Sequence, residues 1–234
     1  MKKTTFNLIS IAVCILFFSC KDDLSTGNSS VTSGGSLTGK IVNYVPNSID
    51  SLSAVMIHPV GSGKVSTKGD FSIGLTVMQL IWERKLSGVI MSDTTAMVAP
   101  VQNINSFLNS NPTGELIKCN YTNNSVTKVG MAYSTFIYIN KSLTMNGTHV
   151  DTTTDGVKTE TYNTFYNMTF TIGWNEVVTK ITAYSSTSNC ETLSVSLTNN
   201  ITSDLQWRYF KSDYSNIRGE LPGQVKAVMI FSLK

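Results

Sequence analysis

Apolar residues in this chain recur at every second position far more often than at helical spacing. Phe71, Ile73, Leu75 and Val77 alternate with Ser72, Gly74, Thr76 and Met78, the period of a half-buried strand. The same period runs through Met168, Phe170 and Ile172, through Leu193, Val195 and Leu197, and through Leu205, Trp207 and Tyr209. Segments 37–45 (LTGKIVNYV), 53–60 (SAVMIHPV), 115–121 (ELIKCNY), 128–140, 142–150 and 176–184 read as further strands, and 226–233 (KAVMIFSL) as a last one. Turns are expected at Lys68-Gly69-Asp70 and at Asp155-Gly156. Asn146-Gly147 is the usual hairpin dipeptide, but a turn there leaves too few residues after Lys141 to pair. Gly173-Trp174-Asn175 is expected to make the next reversal, so that its flanking strands are antiparallel neighbours. Met168, Phe170, Ile172, Leu193, Val195, Leu197, Leu205 and Trp207 then belong to one core. Only Val101, Ile104, Phe107 and Leu108, just after Pro100, show helical spacing and predict one short helix. Asn111-Pro112 and Gly114 break the chain after it. The pattern predicts an all-β protein, an antiparallel β-sandwich of one or two units, divided as 37–114 and 115–234.

The first residues follow a different rule. Lys2 and Lys3 precede an apolar run from Phe6 to Phe18, which ends at Ser19-Cys20. This is the layout of a secretory signal, too short to span a bilayer stably and ending at a small residue. Residues 1–19 are therefore expected to leave, and 20–36, which include the Gly/Ser-rich LSTGNSSVTSGGS, to form a flexible tether. Phe17-Phe18-Ser19-Cys20 resembles a bacterial lipobox, although it lacks the usual leucine three residues before the cysteine. That resemblance implies that Cys20 is lipidated and anchors the chain to a membrane. Lys21-Asp22-Asp23 resembles the lipoprotein export signal of Bacteroidota-type bacteria, which implies display on the outer face of the outer membrane. The alternative is a solvated charge cluster at the head of the linker.

Charge and cysteine content narrow the partners. The 234-residue chain has eighteen basic and fifteen acidic residues, and Lys2 and Lys3 belong to the signal, so the remainder is near neutral. No basic run interleaves with aromatics, which argues against nucleic acid. Of four cysteines, Cys14 leaves with the signal and Cys20 takes lipid. Cys119 and Cys190 remain, either as a disulfide in an exported chain or as two separate buried thiols.

Candidate chemistry is sparse. Gly61-Ser62-Gly63-Lys64 lacks the first glycine of a phosphate loop, where His58 stands, and has Val65 in place of the hydroxyl residue. It reads as a loop between strands. His58 and His149 have no further His or Cys at ligand spacing, so no metal or other cofactor is expected. Asp151 and Asp155 flank a Thr-rich turn and read as turn formers before calcium ligands. Glu160 and Glu176 could face each other across a hairpin, as a glycosidase would require, but nothing local points to burial of either, and both read as residues of solvated faces. Trp174, in a turn, is the candidate for stacking on a ligand, whereas Trp207 reads as core. Asp-Ser-Leu at 50–52 and Asp-Thr-Thr at 93–95 and 151–153 resemble the O-glycosylation sequon of exported Bacteroidota proteins, which implies Ser51, Thr94 and Thr152 as modification sites.

Two further resemblances bear on the fold. Gly-x-Ile followed by Gly69-Asp70-Phe71-Ser72-Ile73 resembles the start of carboxypeptidase-regulatory-like and immunoglobulin-like β-sandwich modules. A Tyr-rich strand at 132–148, Gly173-Trp174-Asn175 and Leu205-Gln206-Trp207-Arg208-Tyr209 resemble a group of uncharacterised Bacteroidota surface lipoproteins. That group implies an all-β, surface-associated protein and carries no activity. The expected function is a non-catalytic surface binding or interaction module for a glycan or protein ligand. The alternatives are an accessory subunit of an envelope complex and, third, a glycoside hydrolase or other secreted enzyme.

Overall fold

A computed structural model describes residues 35–55, 59–76, 80–82, 86–122 and 127–211. Among them are fifteen strands and no helix: β1 (Gly35–Lys40), β2 (Ser51–Val55), β3 (Pro59–Lys64), β4 (Asp70–Leu75), β5 (Ile81–Trp82), β6 (Val89–Met91), β7 (Met97–Pro100), β8 (Asn103–Leu108), β9 (Asn111–Cys119), β10 (Ala132–Ile139), β11 (Leu143–Thr154), β12 (Thr159–Phe170), β13 (Gly173–Ser186), β14 (Cys190–Thr198) and β15 (Gln206–Lys211). The helix expected after Pro100 is strand β8. Its inward positions are Ile104 and Ser106, and the serine hides the alternation. Ser106, fully buried, satisfies its hydroxyl against Thr113 Oγ1 at 3.1 Å. The expected strand 53–60 includes parts of two strands, β2 and β3, which pair antiparallel.

The first part of the sheet runs in the order β1-β4-β3-β2-β8-β9, and β15 joins β9. The path then returns to its beginning. Ile41, just past β1, bridges Trp207 in parallel, and Val42 N donates to Trp207 O at 3.0 Å. Asn43 extends the seam with its side chain, donating from Nδ2 to Tyr209 O at 2.7 Å and accepting from Tyr209 N at 2.8 Å. The amide of Asn43 thus takes the place of one more backbone pair on β15.

The second part runs β7-β10-β13-β14-β12-β11-β6. β6 and β7 are separated in the chain only by Ser92–Ala96, and β5 pairs with β7. The turn at Asp155-Gly156 is as expected: β11 and β12 pair over twelve residues, and Gly156 takes φ 89°. Asn146-Gly147 lies inside β11, where Gly147, at φ 134°, has room only for hydrogen against the Gly88 carbonyl. The reversal at 173–175 is not a hairpin. β14 inserts between β12 and β13, antiparallel to β13 and parallel to β12, which makes the sheet mixed.

β10 and β13 form the wall between two cores. On β10, Phe136 and Tyr138 face a core with Leu37, Ile41, Phe71, Ile73, Leu116 and Trp207. Ile137 and Ile139 face another, with Met145, Met168, Phe170, Val177, Ile181, Val195 and Leu197. A strand buried on both faces is a continuous apolar run, and Phe136-Ile137-Tyr138-Ile139 is one. The single late core expected from periodicity is therefore divided. Trp207 belongs to the first core, Leu205 packs with Ala132 and Val178, and Ile172 is 66% exposed because β12 ends at Phe170. The expected boundary at 114/115 falls inside β9, and the first core takes residues from both sides of it.

Candidate functional site

Several expected sites lie outside the described residues: the signal, Cys20, Lys21, Asp22, Asp23, His58 and segment 226–233. Of the three sequon residues, Thr94 and Thr152 are exposed and Ser51 is half-buried. Ser51 pairs on both sides, with Lys64 and Phe107, and its hydroxyl donates to Asp50 Oδ1 at 2.6 Å.

The cysteines are free, Cys119 buried and Cys190 exposed. Cys119 lies opposite Tyr133, Tyr133 opposite Thr179 and Thr179 opposite Leu197. Cys190 is therefore displaced by about 23 Å along the strand direction alone, against a limit near 7 Å for a bridge. Burial pushes the Cys119 thiol up to about 11, which keeps it protonated and unreactive at neutral pH.

Trp174 does not offer a free stacking surface. It is half-buried against the first core, edge-on to Tyr138 with centroids 5.6 Å apart, and a Cβ at Gly35 would collide with its indole. Gly61 and Gly63 of the phosphate-loop lookalike sit in strand β3, where the β4 carbonyls of Gly74 and Ser72 leave no room for a Cβ. Asp155 is a turn former: its Oδ1 accepts the backbone N–H groups of Lys158 at 2.7 Å and Val157 at 2.9 Å. These bonds hold its carboxyl below the ordinary range. Among the described residues no three His, Cys, Asp or Glu side chains converge as metal ligands.

Glu160 and Glu176 are not partners either. Glu160 lies opposite Glu191, and Glu191 opposite Ser186, ten residues beyond Glu176 on β13 or about 33 Å. Each acid has its own company. Lys158 Nζ bridges Glu191 and Glu160, and Tyr162 Oη donates to Glu160 Oε2 at 3.0 Å. Burial, and then this carboxylate, push the Tyr162 phenol upward. Glu176 takes Lys118 Nζ at 2.7 and 2.9 Å and the Ser134 hydroxyl at 2.5 Å. This second cluster was not foreseen. Its signal in the sequence is a charge at an inward strand position, Lys118 two residues after Leu116 and Glu176 two after Trp174.

Among the described residues, the outer face of β11, β12 and β14 is an uncharged surface with exposed apolar side chains. Residues paired across strands share a face, so the register defines it. β11 contributes Thr144, Asn146, Thr148, Val150 and Thr152, and β12 contributes Thr161, Asn163, Phe165, Asn167 and Thr169. β14 adds Thr192, Ser196 and Thr198, with Ser194 buried between them, and Ile90 of β6 lies beside Asn146. None of these side chains is charged, and three apolar ones are open to solvent: Phe165 at 45%, Val150 at 54% and Ile90 at 78%. The charges are on the other side of the same strands, in Asp151, Glu160 and Glu191, or at the margin, in Lys180 opposite Ser196.

No family model, curated protein or solved structure matches the chain.

Proposed function

We propose that this protein is a non-catalytic binding module, carried on the outer face of the outer membrane by lipid on Cys20. The N-terminal sequence supports the address: a short apolar signal, a cysteine at its end and Lys21-Asp22-Asp23 directly after. The observation that carries the binding role is the uncovered face of β11, β12 and β14. It holds open apolar side chains that serve neither core, Phe165 and Val150 among them. Three half-buried acids, in contrast, are paired with lysines within the fold, Glu176 with Lys118 and Glu160 and Glu191 with Lys158. A carboxylate neutralised in this way is poorly placed to act as a general acid or base.

The test is direct. The purified full chain is applied to immobilised glycans and proteins, and both bound protein and released products are followed. Saturable binding with no product is expected. Turnover of any bound ligand would defeat the reading.

A further inference from the structure

We infer that the outer face of β11, β12 and β14 is a binding surface for an uncharged polysaccharide, a proposal that rests on the binding-module reading above and names its ligand class. Three features of the face argue for that chemistry. The first is charge. Of fourteen positions on this side of three adjacent strands, thirteen are exposed or half-buried and Ser194 is buried, and all hold Thr, Asn, Ser, Val or Phe, whereas the reverse side of the same hairpin gathers Asp151, Lys158, Glu160 and Glu191. An anionic polymer, a nucleic acid or a lipid headgroup finds a single cation to pair with, Lys180 at the margin opposite Ser196, and a basic peptide finds no carboxylate. The complementary partner is neutral.

The second is the type of polar group. Hydroxyls and carboxamides both donate and accept, which suits a ligand whose own groups are hydroxyls. Asn146 lies directly opposite Asn167, and both are exposed.

The third is Phe165. It is flanked by Thr148 on β11 and Ser196 on β14, with Val150 on the diagonal. An aromatic side chain open to solvent amid short polar side chains matches a sugar ring, which presents an apolar C–H face and a rim of hydroxyls. Strands β11 and β12 are each twelve residues long, so the platform extends about 40 Å, which suits a polymer better than a single sugar.

The experiment uses the full chain in detergent, co-sedimented with cellulose, mannan, insoluble xylan and starch granules, and with polygalacturonate as the anionic counterpart. Binding to at least one neutral polysaccharide is expected. Phe165→Ala should weaken it about tenfold, as should Asn167→Glu, which places a charge on the face. Glu160→Gln, on the reverse side, should bind as the wild type does. Far-UV circular dichroism identical to the wild type guards against misfolded variants. The inference falls if no neutral polysaccharide binds, if polygalacturonate binds best, or if Phe165→Ala binds unchanged. It also falls if Phe165→Ala abolishes self-association in a chain that binds no glycan, since a second copy would then cover the face. Glycan binding that ignores Phe165 overturns this face and spares the binding-module reading. Turnover of a glycan whose binding depends on Phe165 does the reverse.

Discussion

Gly39 of β1 lies directly against the indole of Trp207, so closely that a Cβ at residue 39 would enter the ring. The indole is stacked on Phe136 from within the first core at 5.6 Å and meets the edge of Phe71 at 5.1 Å. It has no direction in which to retreat. Gly39→Ala should therefore destabilise by about 1–3 kcal/mol, the usual cost of overpacking. Gly74→Ala is the control, because a Cβ there meets nothing within 4 Å. It should be neutral or stabilising by up to about 1 kcal/mol through the unfolded chain. Urea melts of the two variants make the comparison, and equal midpoints would show that the contact with Trp207 does not matter.

The thiols should differ sharply in reactivity. Iodoacetamide at neutral pH is expected to modify Cys190 in the folded protein and to reach Cys119 only after denaturation, as read by peptide mass mapping. Early labelling of Cys119 would contradict its burial.

Lys118 and Glu176 should depend on each other. Either Lys118→Met or Glu176→Gln leaves a half-buried partner without its counter-charge, at a cost of about 2–4 kcal/mol. Replacing both, with Met and Leu, should cost less than the sum, giving a coupling energy of about 1–3 kcal/mol in a double-mutant cycle. Additive losses would mean that the pair does not interact in solution.

At the Asp155 turn the expected effect is one of pH. Its carboxyl titrates below the ordinary 3.8 because the N–H groups of Lys158 and Val157 favour the charged form. A depressed carboxylate pKa stabilises the fold above the unfolded value, and the contribution is lost as pH falls through the folded one. Amide shifts of Val157 and Lys158 should therefore move together with a midpoint below 3.8, and Asp155→Asn should remove the transition. A midpoint at or above the ordinary value would mean that the two hydrogen bonds do not form.

Anchoring is tested at Cys20. A Cys20→Ala chain should lose the processed, membrane-bound form. If it still fractionates with outer membrane at unchanged mass, the lipid anchor is disproved.

The sequence disclosed faces more readily than neighbours. Phe71, Ile73 and Leu75 are buried as their alternation requires, and Met168, Phe170, Leu193, Val195 and Leu197 are buried likewise. Period two states which side of a strand is apolar. It carries no information on which strand lies beside it, and so the insertion of β14 between β12 and β13 left no trace. Nor does it say which of two cores a face belongs to, which is why Trp207 was grouped with Phe170. In β8 the misleading feature was chemical. A buried serine broke the apolar alternation, while Val101, before the strand, and Phe107, on its other side, completed a spurious helical spacing. The uncharged outer face could have been found by listing the polar partners of each alternating strand, but only the register shows that they adjoin.

The seam between Ile41 and Trp207 ties nearly the first described residue to nearly the last. A ribosome delivers this chain from the other direction, one end at a time. For most of synthesis the inner side of β1, Leu37 and Ile41, has no indole to lie against and no seam to complete. The first barrel-like curl can therefore close only once β15 has been made, so a truncated product ending before β15 is left with an open apolar margin.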